Sequence, residues 1–256
     1  MVAGGACGRR KTGAEAAKTA AGTGDTASMQ ELLDFFSELH DNNVKTWFDA
    51  NRARYKRVRE MFIGMTQRII DGIAGFDPTV AGLTPADCMW RINRDIRFSL
   101  DKSPYKTYIS AFIAPHGKKS GYAGYYFHIE PRAADDDGTW VHQLSAGLYM
   151  PEPVILQSLR DEIFDNGAEI VQAIEEAEGF SLYDGEMLKR TPKGYPSGSE
   201  YDALLRHKHM FIMQPVDEKF LLSGDLTDRV VGKFRTAHHF VSLLNRAVQY
   251  AYEEMM

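Results

Sequence analysis

The sequence predicts an α+β protein: a single domain with a central, mainly antiparallel sheet flanked by N-terminal and C-terminal helices. Three observations predict this class. Apolar residues recur at helical spacing from Met29 to about Gly75, strand-like runs follow one another between residues 89 and 149, and a second helical stripe closes the chain. Because no linker and no internal repeat interrupts residues 29–256, we expect one domain there.

The amino-acid composition indicates the general class of protein. The chain has 256 residues, of which 44% are hydrophobic and 25% charged, as is typical of a soluble globular protein. Residues 1–28 are rich in Ala, Gly and Thr without an apolar run, so we expect a disordered tail there. No apolar run approaches the roughly 18 residues that a membrane span needs, and we expect no membrane partner. Cys7 and Cys88 are the only cysteines, which favours a cytoplasmic protein without disulfides.

The N-terminal third predicts three helices. Leu32, Leu33, Phe36 and Leu39 lie at helical spacing, and the polar run at residues 41–43 ends that helix. Asn43 is expected to cap a short helix that contains Trp47 and Phe48. A long helix is predicted from about residue 51 to 75. Its inward residues are Tyr55, Val58, Phe62, Met65, Ile69, Ile70 and Ile73.

Four strands are predicted next, at residues 89–93, 107–114, 122–130 and 140–149. The second is apolar on both faces, which is typical of a central strand. The third alternates cleanly, which indicates one buried and one accessible face. Its two faces are Tyr125, Phe127 and Ile129 on the core side, and Tyr126, His128 and Glu130 on the other.

The C-terminal half predicts helices around two short strands. Proline at 151 and 153 suits the start of a helix to about residue 164, and a second helix is expected from 168 to 178. Short strands are expected at 180–183 and 209–214. The closing helical stripe runs from Leu226 to Ala251, and Gly232 is a candidate break in it.

Charged side chains are most concentrated in residues 91–106. Five cations stand there against two carboxylates, an excess of three positive charges in a chain whose net charge is −5. The cations are Arg91, Arg94, Arg97, Lys102 and Lys106, and the carboxylates are Asp95 and Asp101. Asp95 can orient the guanidinium groups, which bind phosphate or carboxylate in a bidentate manner. The same residues would equally suit a structural salt-bridge network, and the sequence leaves both readings open.

Two further groups could join this segment. His128 and Glu130 share a predicted strand face with Tyr126, a spacing that fits a general acid–base pair or two metal ligands. Since no third ligand is evident, no metal site is predicted. The loop at residues 188–195 adds Lys189, Arg190 and Lys193, and we expect it to approach the first basic segment.

Several of these motifs resemble a bacterial and fungal family of unknown function, family 2461. The resemblance covers nearly all of residues 29–256. It rests on Trp47-Phe48-Asp49-Ala50-Asn51, on Arg94-Asp95 and Arg97-Phe98-Ser99, on Asp101-Lys102-Ser103-Pro104-Tyr105-Lys106, on His128-Ile129-Glu130-Pro131 and on Pro192-Lys193-Gly194-Tyr195. It implies a folded unit and brings no activity, substrate or cofactor with it.

The leading hypothesis is a pocket, floored by the sheet, that binds an anionic small molecule carrying phosphate or carboxylate. Arg91, Arg94, Arg97, Lys102, Lys106 and Lys193 would neutralise the ligand, Asp95 would orient the arginines, and Tyr105 and Tyr126 would contact it. His128 would transfer a proton, with Glu130 orienting it. The alternatives are a nucleic-acid-binding module using the same patch and an interaction protein with a structural basic network. The sequence names no cofactor, and it does not decide whether the protein is an enzyme.

Overall fold

The fold is that of an α+β protein with a five-stranded antiparallel sheet and helices on both sides, so the predicted class is confirmed. The computed structural model describes residues 29–131 and 142–256. The predicted tail at 1–28 and the start of the predicted fourth strand lie outside these ranges. Within them, no helix is both long enough and apolar enough to span a membrane.

The sheet has the strand order β1-β2-β3-β5-β4, and every neighbouring pair is antiparallel. The strands are β1 (Ile109–Ile113), β2 (Gly124–Ile129), β3 (His142–Leu148), β4 (Ser181–Leu182) and β5 (Met210–Pro215). The prediction that the 107–114 strand is central was wrong, because β1 lies at the sheet edge. Of residues 89–93, which were predicted as a strand, only Met89 pairs with this edge, through a single bridge to Ala111, and Met89 is buried there.

Nine α-helices and one 3-10 turn complete the described chain. They are α1 (29–41), α2 (Lys45–Ala50), α3 (Arg52–Ala74), the 3-10 turn Pro78–Val80, α4 (Pro85–Cys88), α5 (Pro153–Glu176), α6 (Asp202–Leu205), α7 (Glu218–Leu221), α8 (Leu226–Thr236) and α9 (His238–Glu254). The two helices predicted between 153 and 178 run together as α5, and the predicted break between them falls at Asn166, whose backbone is not helical. The C-terminal break falls at Ala237 rather than Gly232.

One face of the sheet forms the core with α3, α8 and α9. Phe127 is 1% exposed and stacks on Phe62 of α3, with ring centroids 6.1 Å apart. Tyr125 packs against Phe234 of α8 at 5.4 Å. Ile129 is fully buried beside them. The inward side of β2 is therefore the one that its alternation predicts.

The opposite face of the sheet carries polar side chains at matched positions. On β1 and β2, Ser110 is paired with His128, and on β2 and β3, Tyr126 is paired with Ser145. His128 in turn faces Gln143 across the β2–β3 ladder. Because paired residues of antiparallel strands project to the same face, the register brings these hydroxyl, imidazole and amide groups together.

Candidate functional site

The basic segment 91–106 leaves the sheet edge and returns as an irregular hairpin. Its two limbs are joined by a bridge between Asn93 and Tyr105. The Arg94 N–H donates to the Pro104 carbonyl at 3.0 Å, and the Lys106 N–H donates to the Ile92 carbonyl at 2.9 Å. These backbone hydrogen bonds set the positions of the basic side chains on the two limbs.

Asn43 holds the returning limb from outside. Its side-chain amide donates to the Tyr105 carbonyl at 2.9 Å, and its side-chain oxygen accepts from the Tyr105 N–H at 3.2 Å. The prediction that Asn43 caps the next helix was wrong, because Val44 occupies that position without a side-chain cap. The Tyr105 ring is buried against Phe48, with centroids 4.0 Å apart and an interplanar angle of 18°. Tyr105 thus anchors the hairpin to α2.

Most cations of the hairpin are occupied within it. Arg94 is ion-paired with Asp101, and this pairing holds the pKa of the Asp101 carboxyl well below its usual range. Arg97 makes a bidentate pair with Asp95, with N–O distances of 2.9 and 2.6 Å, and lowers the pKa of that carboxyl. The Lys102 ammonium donates to the Ile96 carbonyl at 3.0 Å. For these residues, the geometry is that of an internal salt-bridge network.

Lys106 and Arg91 are arranged differently. The Lys106 ammonium lies over the Trp90 ring at 5.9 Å and over the Tyr108 ring at 5.5 Å. Burial lowers the pKa of Lys106, and the nearby positive charge of Arg91 lowers it further. Within residues 29–131 and 142–256, neither cation is ion-paired. The charge of Arg91 contributes to lowering the pKa of Asp95, but the ion pair of Asp95 is with Arg97. Two neighbouring cations therefore lack a counter-charge among the described residues.

Lys106 lines two adjacent hollows. The larger cleft has a volume of about 480 Å³, and its other lining residues include His40, Asn43, Arg94, Thr107 and Tyr108. The smaller pocket, about 10 Å³, is lined by Trp90, Arg91, Tyr108 and Ser110, among others, and has room for about one water molecule. Lys106 thus lines both a cleft of ligand size and a pocket of water size.

Beside this cleft, three side chains of β2 and its continuation form a hydrogen-bonded row. The Tyr126 hydroxyl lies 2.8 Å from Nδ1 of His128, and Nε2 of His128 lies 3.1 Å from a carboxylate oxygen of Glu130. The other Glu130 oxygen accepts from the Thr107 hydroxyl at 2.9 Å. His128 is 7% exposed, so both of its ring nitrogens are satisfied inside the protein. The predicted pair His128 and Glu130 is brought into direct contact.

The aromatic rings connect this row to Lys106. The Tyr108 ring lies 4.7 Å from the His128 ring, and the Trp90 ring lies 6.2 Å from the Tyr126 ring. Burial is the main cause that raises the pKa of Tyr126, to about 12, and it also raises the pKa of Tyr108. Both phenols are therefore protonated at neutral pH and are available as hydrogen-bond donors.

The second basic loop, residues 188–195, lies near the opposite edge of the sheet, beside β4 and β5. Leu188 is hydrogen-bonded to Arg206 next to the β4–β5 pair, and the Tyr195 hydroxyl is bound to Asp161 of α5. At roughly 4.8 Å per strand, the β1 and β4 edges are about 19 Å apart. Among the described residues, no hydrogen bond or ion pair joins Lys193 to the 91–106 hairpin, and Lys193 is exposed. The structure therefore does not bring the two basic segments together.

Five residues of this region were not proposed as site residues from the sequence. Asn43, Trp90, Thr107, Tyr108 and Ser110 all line one of the two hollows. A signal was present for two of them, since Trp90 directly precedes Arg91 and Tyr108 lies two residues after Lys106. Within the part of the chain that the structure describes, no three His, Cys, Asp or Glu residues are grouped as a metal site.

Comparison with known proteins identifies the family. The family model described as "Conserved hypothetical protein (DUF2461)" matches residues 31–242, which is most of the chain. No curated protein and no solved structure matched the chain. The match includes the 91–106 hairpin, the Tyr126–His128–Glu130 row and the Lys193 loop, and it confirms the resemblance seen in the sequence. The chain belongs to the DUF2461 family of conserved hypothetical proteins.

Proposed function

We propose that the cleft beside the 91–106 hairpin binds a small molecule bearing a phosphate or carboxylate group, with Lys106 and Arg91 as its anchors. The single observation that supports this is the half-buried Lys106 ammonium, which lines a cleft of about 480 Å³ and lies near Arg91, while neither cation has an ion pair among the residues that the structure describes. Clefts of roughly 300–1,000 Å³ are the size that small-molecule ligands occupy.

The energetic reason lies in the charges. Two like charges close together destabilise the empty protein, and partial burial of Lys106 withdraws solvent that would screen them. The Asp95 and Asp101 carboxylates offset this repulsion only in part, because each is hydrogen-bonded to its own arginine. An anion bound between Lys106 and Arg91 would supply the missing counter-charge.

The aromatic side chains favour a ligand with more than a bare anionic group. Trp90 is 39% exposed, and Trp90 and Tyr108 flank the Lys106 ammonium. Tyr108, which lines the cleft, offers a flat apolar surface on which the body of a ligand can pack while Lys106 holds its charged group, and Trp90 lines the adjoining small pocket. Arg94, Asp95 and Asp101 would shape the cleft wall as a preformed network rather than neutralise the ligand.

The test is a thermal-shift titration at constant ionic strength with phosphate, sulfate, nucleotides and polycarboxylates, using chloride as the reference. Wild type is compared with Lys106→Met, which keeps the aliphatic stem but removes the charge. Lys193→Met is the matched control, since Lys193 lies away from the cleft. A specific ligand should stabilise wild type by about 2.7 kcal/mol at a hundred times its dissociation constant. The stabilisation should be retained in Lys193→Met and lost in Lys106→Met.

Two results would contradict the proposal. In the first, no anion stabilises wild type more than chloride does. In the second, an anion stabilises Lys106→Met as much as it stabilises wild type. A single-stranded oligonucleotide is included as a further ligand. If it bound more tightly than every small anion and depended equally on Lys106 and on the exposed hairpin cations, the nucleic-acid alternative would replace this proposal.

We also infer a cytoplasmic location. Cys88 is a buried free thiol, which is compatible with a reducing compartment. Fractionation of cells expressing the full chain tests this inference, and recovery from an extracellular or membrane fraction would contradict it.

A further inference from the structure

The tip of the 91–106 hairpin presents two large apolar side chains to solvent. Phe98 is 96% exposed and Leu100 is 102% exposed, whereas Tyr149, another exposed aromatic residue, is 67% exposed. Full contact with water withholds the hydrophobic free energy that burial against a partner would supply. Since other residues of the hairpin line the cleft, the proposed function leaves this apolar surface unexplained.

The hairpin holds its tip in a defined conformation. The Arg97 guanidinium lies over the Phe98 ring at 5.9 Å, and a bidentate pair with Asp95 holds that guanidinium in place. On the returning limb, the Lys102 ammonium donates to the Ile96 carbonyl. A surface that is ordered before binding loses less conformational entropy when a partner docks. The tip is therefore suited to contact with another molecule.

The charge of the hairpin is opposite to that of the rest of the chain. Residues 91–106 carry an excess of three positive charges, and the whole chain has a net charge of −5, so the remaining residues carry a net charge of −8. Complementary charge steers two protein surfaces together and fixes their orientation. A second copy of the chain therefore offers an acidic partner to each basic hairpin.

Helix α5 combines negative charge with exposed apolar side chains. Residues 161–178, most of which belong to α5, contain seven carboxylates and no Lys, Arg or His. Phe164 and Val171 of this stretch are 46% and 37% exposed. The Phe164 ring lies 5.8 Å from the ring of Tyr195, whose hydroxyl donates to Asp161. This α5 surface therefore has the same apolar character as the hairpin tip and the opposite charge.

Four of the seven carboxylates have no cationic partner in the described chain. Arg246 is ion-paired with Glu162 and Glu169, and His239 lies 2.7 Å from Glu176. Among residues 29–131 and 142–256, no ion pair engages the other four, which are Asp161, Asp165, Glu175 and Glu178. These four carboxylates can attract a basic partner without the loss of an existing ion pair.

We propose that the protein self-associates, with the hairpin tip of one copy docked on α5 of a second copy. Phe98 and Leu100 of the tip pack against Phe164 and Val171, while Lys102 approaches the carboxylates of α5. In the described part of the chain, no hydrogen bond, ion pair or ring contact joins the hairpin to its own α5. The contact therefore forms between two molecules.

The apolar part of the α5 surface favours a second copy over a nucleic acid. A nucleic acid supplies negative charge, whereas α5 supplies negative charge together with apolar side chains for Phe98 and Leu100. Because every copy carries both surfaces, two copies can dock reciprocally about a two-fold axis, which gives a closed dimer. Arg91 and Lys106 are the two ends of the hairpin, so docking of its tip does not depend on an anion in the cleft.

The experiment is sedimentation velocity of the full chain over a range of protein concentrations, at low and at high salt. Wild type should form dimers that dissociate as the salt concentration rises, because salt screens the attraction between the two surfaces. Phe98→Ser should raise the dissociation constant of the dimer about tenfold or more, as the loss of a central aromatic contact does. Tyr149→Ser is the matched control, since it replaces an exposed aromatic residue elsewhere, and it should dimerise as wild type does.

Mixing two variants tests which surfaces meet. Phe164→Ser alone should also weaken the dimer, because it alters the α5 side of each contact. Phe98→Ser retains an intact α5 and Phe164→Ser retains an intact hairpin, so one molecule of each can form a dimer with one intact contact. The mixture should therefore dimerise more tightly than either variant by itself. Absence of this recovery would overturn the pairing of the hairpin with α5.

Stability measurements separate a lost contact from a lost fold. Phe98 is almost fully exposed, so its replacement should leave the urea denaturation curve unchanged. If Phe164→Ser disturbs the fold through its contact with Tyr195, Val171→Ser takes its place in the mixing experiment. Wild-type protein that stays monomeric at every concentration would overturn the proposal, as would a dimer that persists unchanged in Phe98→Ser.

Discussion

Acid sensitivity should depend measurably on His142, the first residue of β3. This side chain is 2% exposed, and its Nδ1 accepts the Glu130 N–H at 3.2 Å. Burial, followed by the proximity of His128, lowers the pKa of His142 to about 4. In the unfolded chain a histidine titrates at about 6.5. As the pH falls below about 6.5, the unfolded state therefore gains a proton that the folded state does not.

The magnitude follows from the difference between these two pKa values. It is about 2.5 units, and each unit corresponds to about 1.36 kcal/mol, so His142 should remove about 3 kcal/mol of unfolding free energy between roughly pH 7 and pH 4. The loss levels off below about pH 4, where the folded state also takes up the proton. Carboxylates titrate in the same range, so the effect is isolated by comparison with His142→Gln, which retains a hydrogen-bond acceptor.

The assay is urea denaturation of both proteins at several pH values across this range. The stability of wild type should fall more steeply than that of His142→Gln, by about 3 kcal/mol in total. Two parallel curves would refute the reasoning, as would a directly measured His142 pKa near 6.5 in the folded protein. His209→Gln, which also replaces a buried histidine, controls for general loss of packing.

Two further predictions concern stability. Phe127→Ala should cost about 3–5 kcal/mol as a large-to-small core change, and His128→Ala should cost much less. The opposite ranking in denaturant melts would mean that the faces of β2 are reversed. Asn43→Ala should cost about 1–3 kcal/mol, because it removes both side-chain hydrogen bonds to the Tyr105 backbone. Asn42→Ala, which removes a single exposed hydrogen bond, is its control; equal effects of the two would argue against the anchoring role.

Sequence patterns were sufficient wherever a single element decides the outcome. The alternation of residues 122–130 predicted the buried side of β2, because successive side chains of a strand point to opposite faces whatever its neighbours are. Helical spacing similarly predicted α3 and the amphipathic C-terminal stripe. His128 and Glu130 could be paired for the same reason, since they are two residues apart on one strand.

Tertiary structure decided everything that depends on distant partners. Asn43 binds Tyr105 across 62 positions of sequence, so local capping rules misassigned it. β1 is apolar although it lies at the sheet edge, where only Met89 pairs with it, and no periodicity distinguishes such a strand from a central one. The count of charges in 91–106 was visible in the sequence, but their pairing was not: the hairpin gives each aspartate its own arginine and leaves Lys106 and Arg91 without one. Composition determined that the segment is basic, and the path of the backbone determined which of its charges are paired within it.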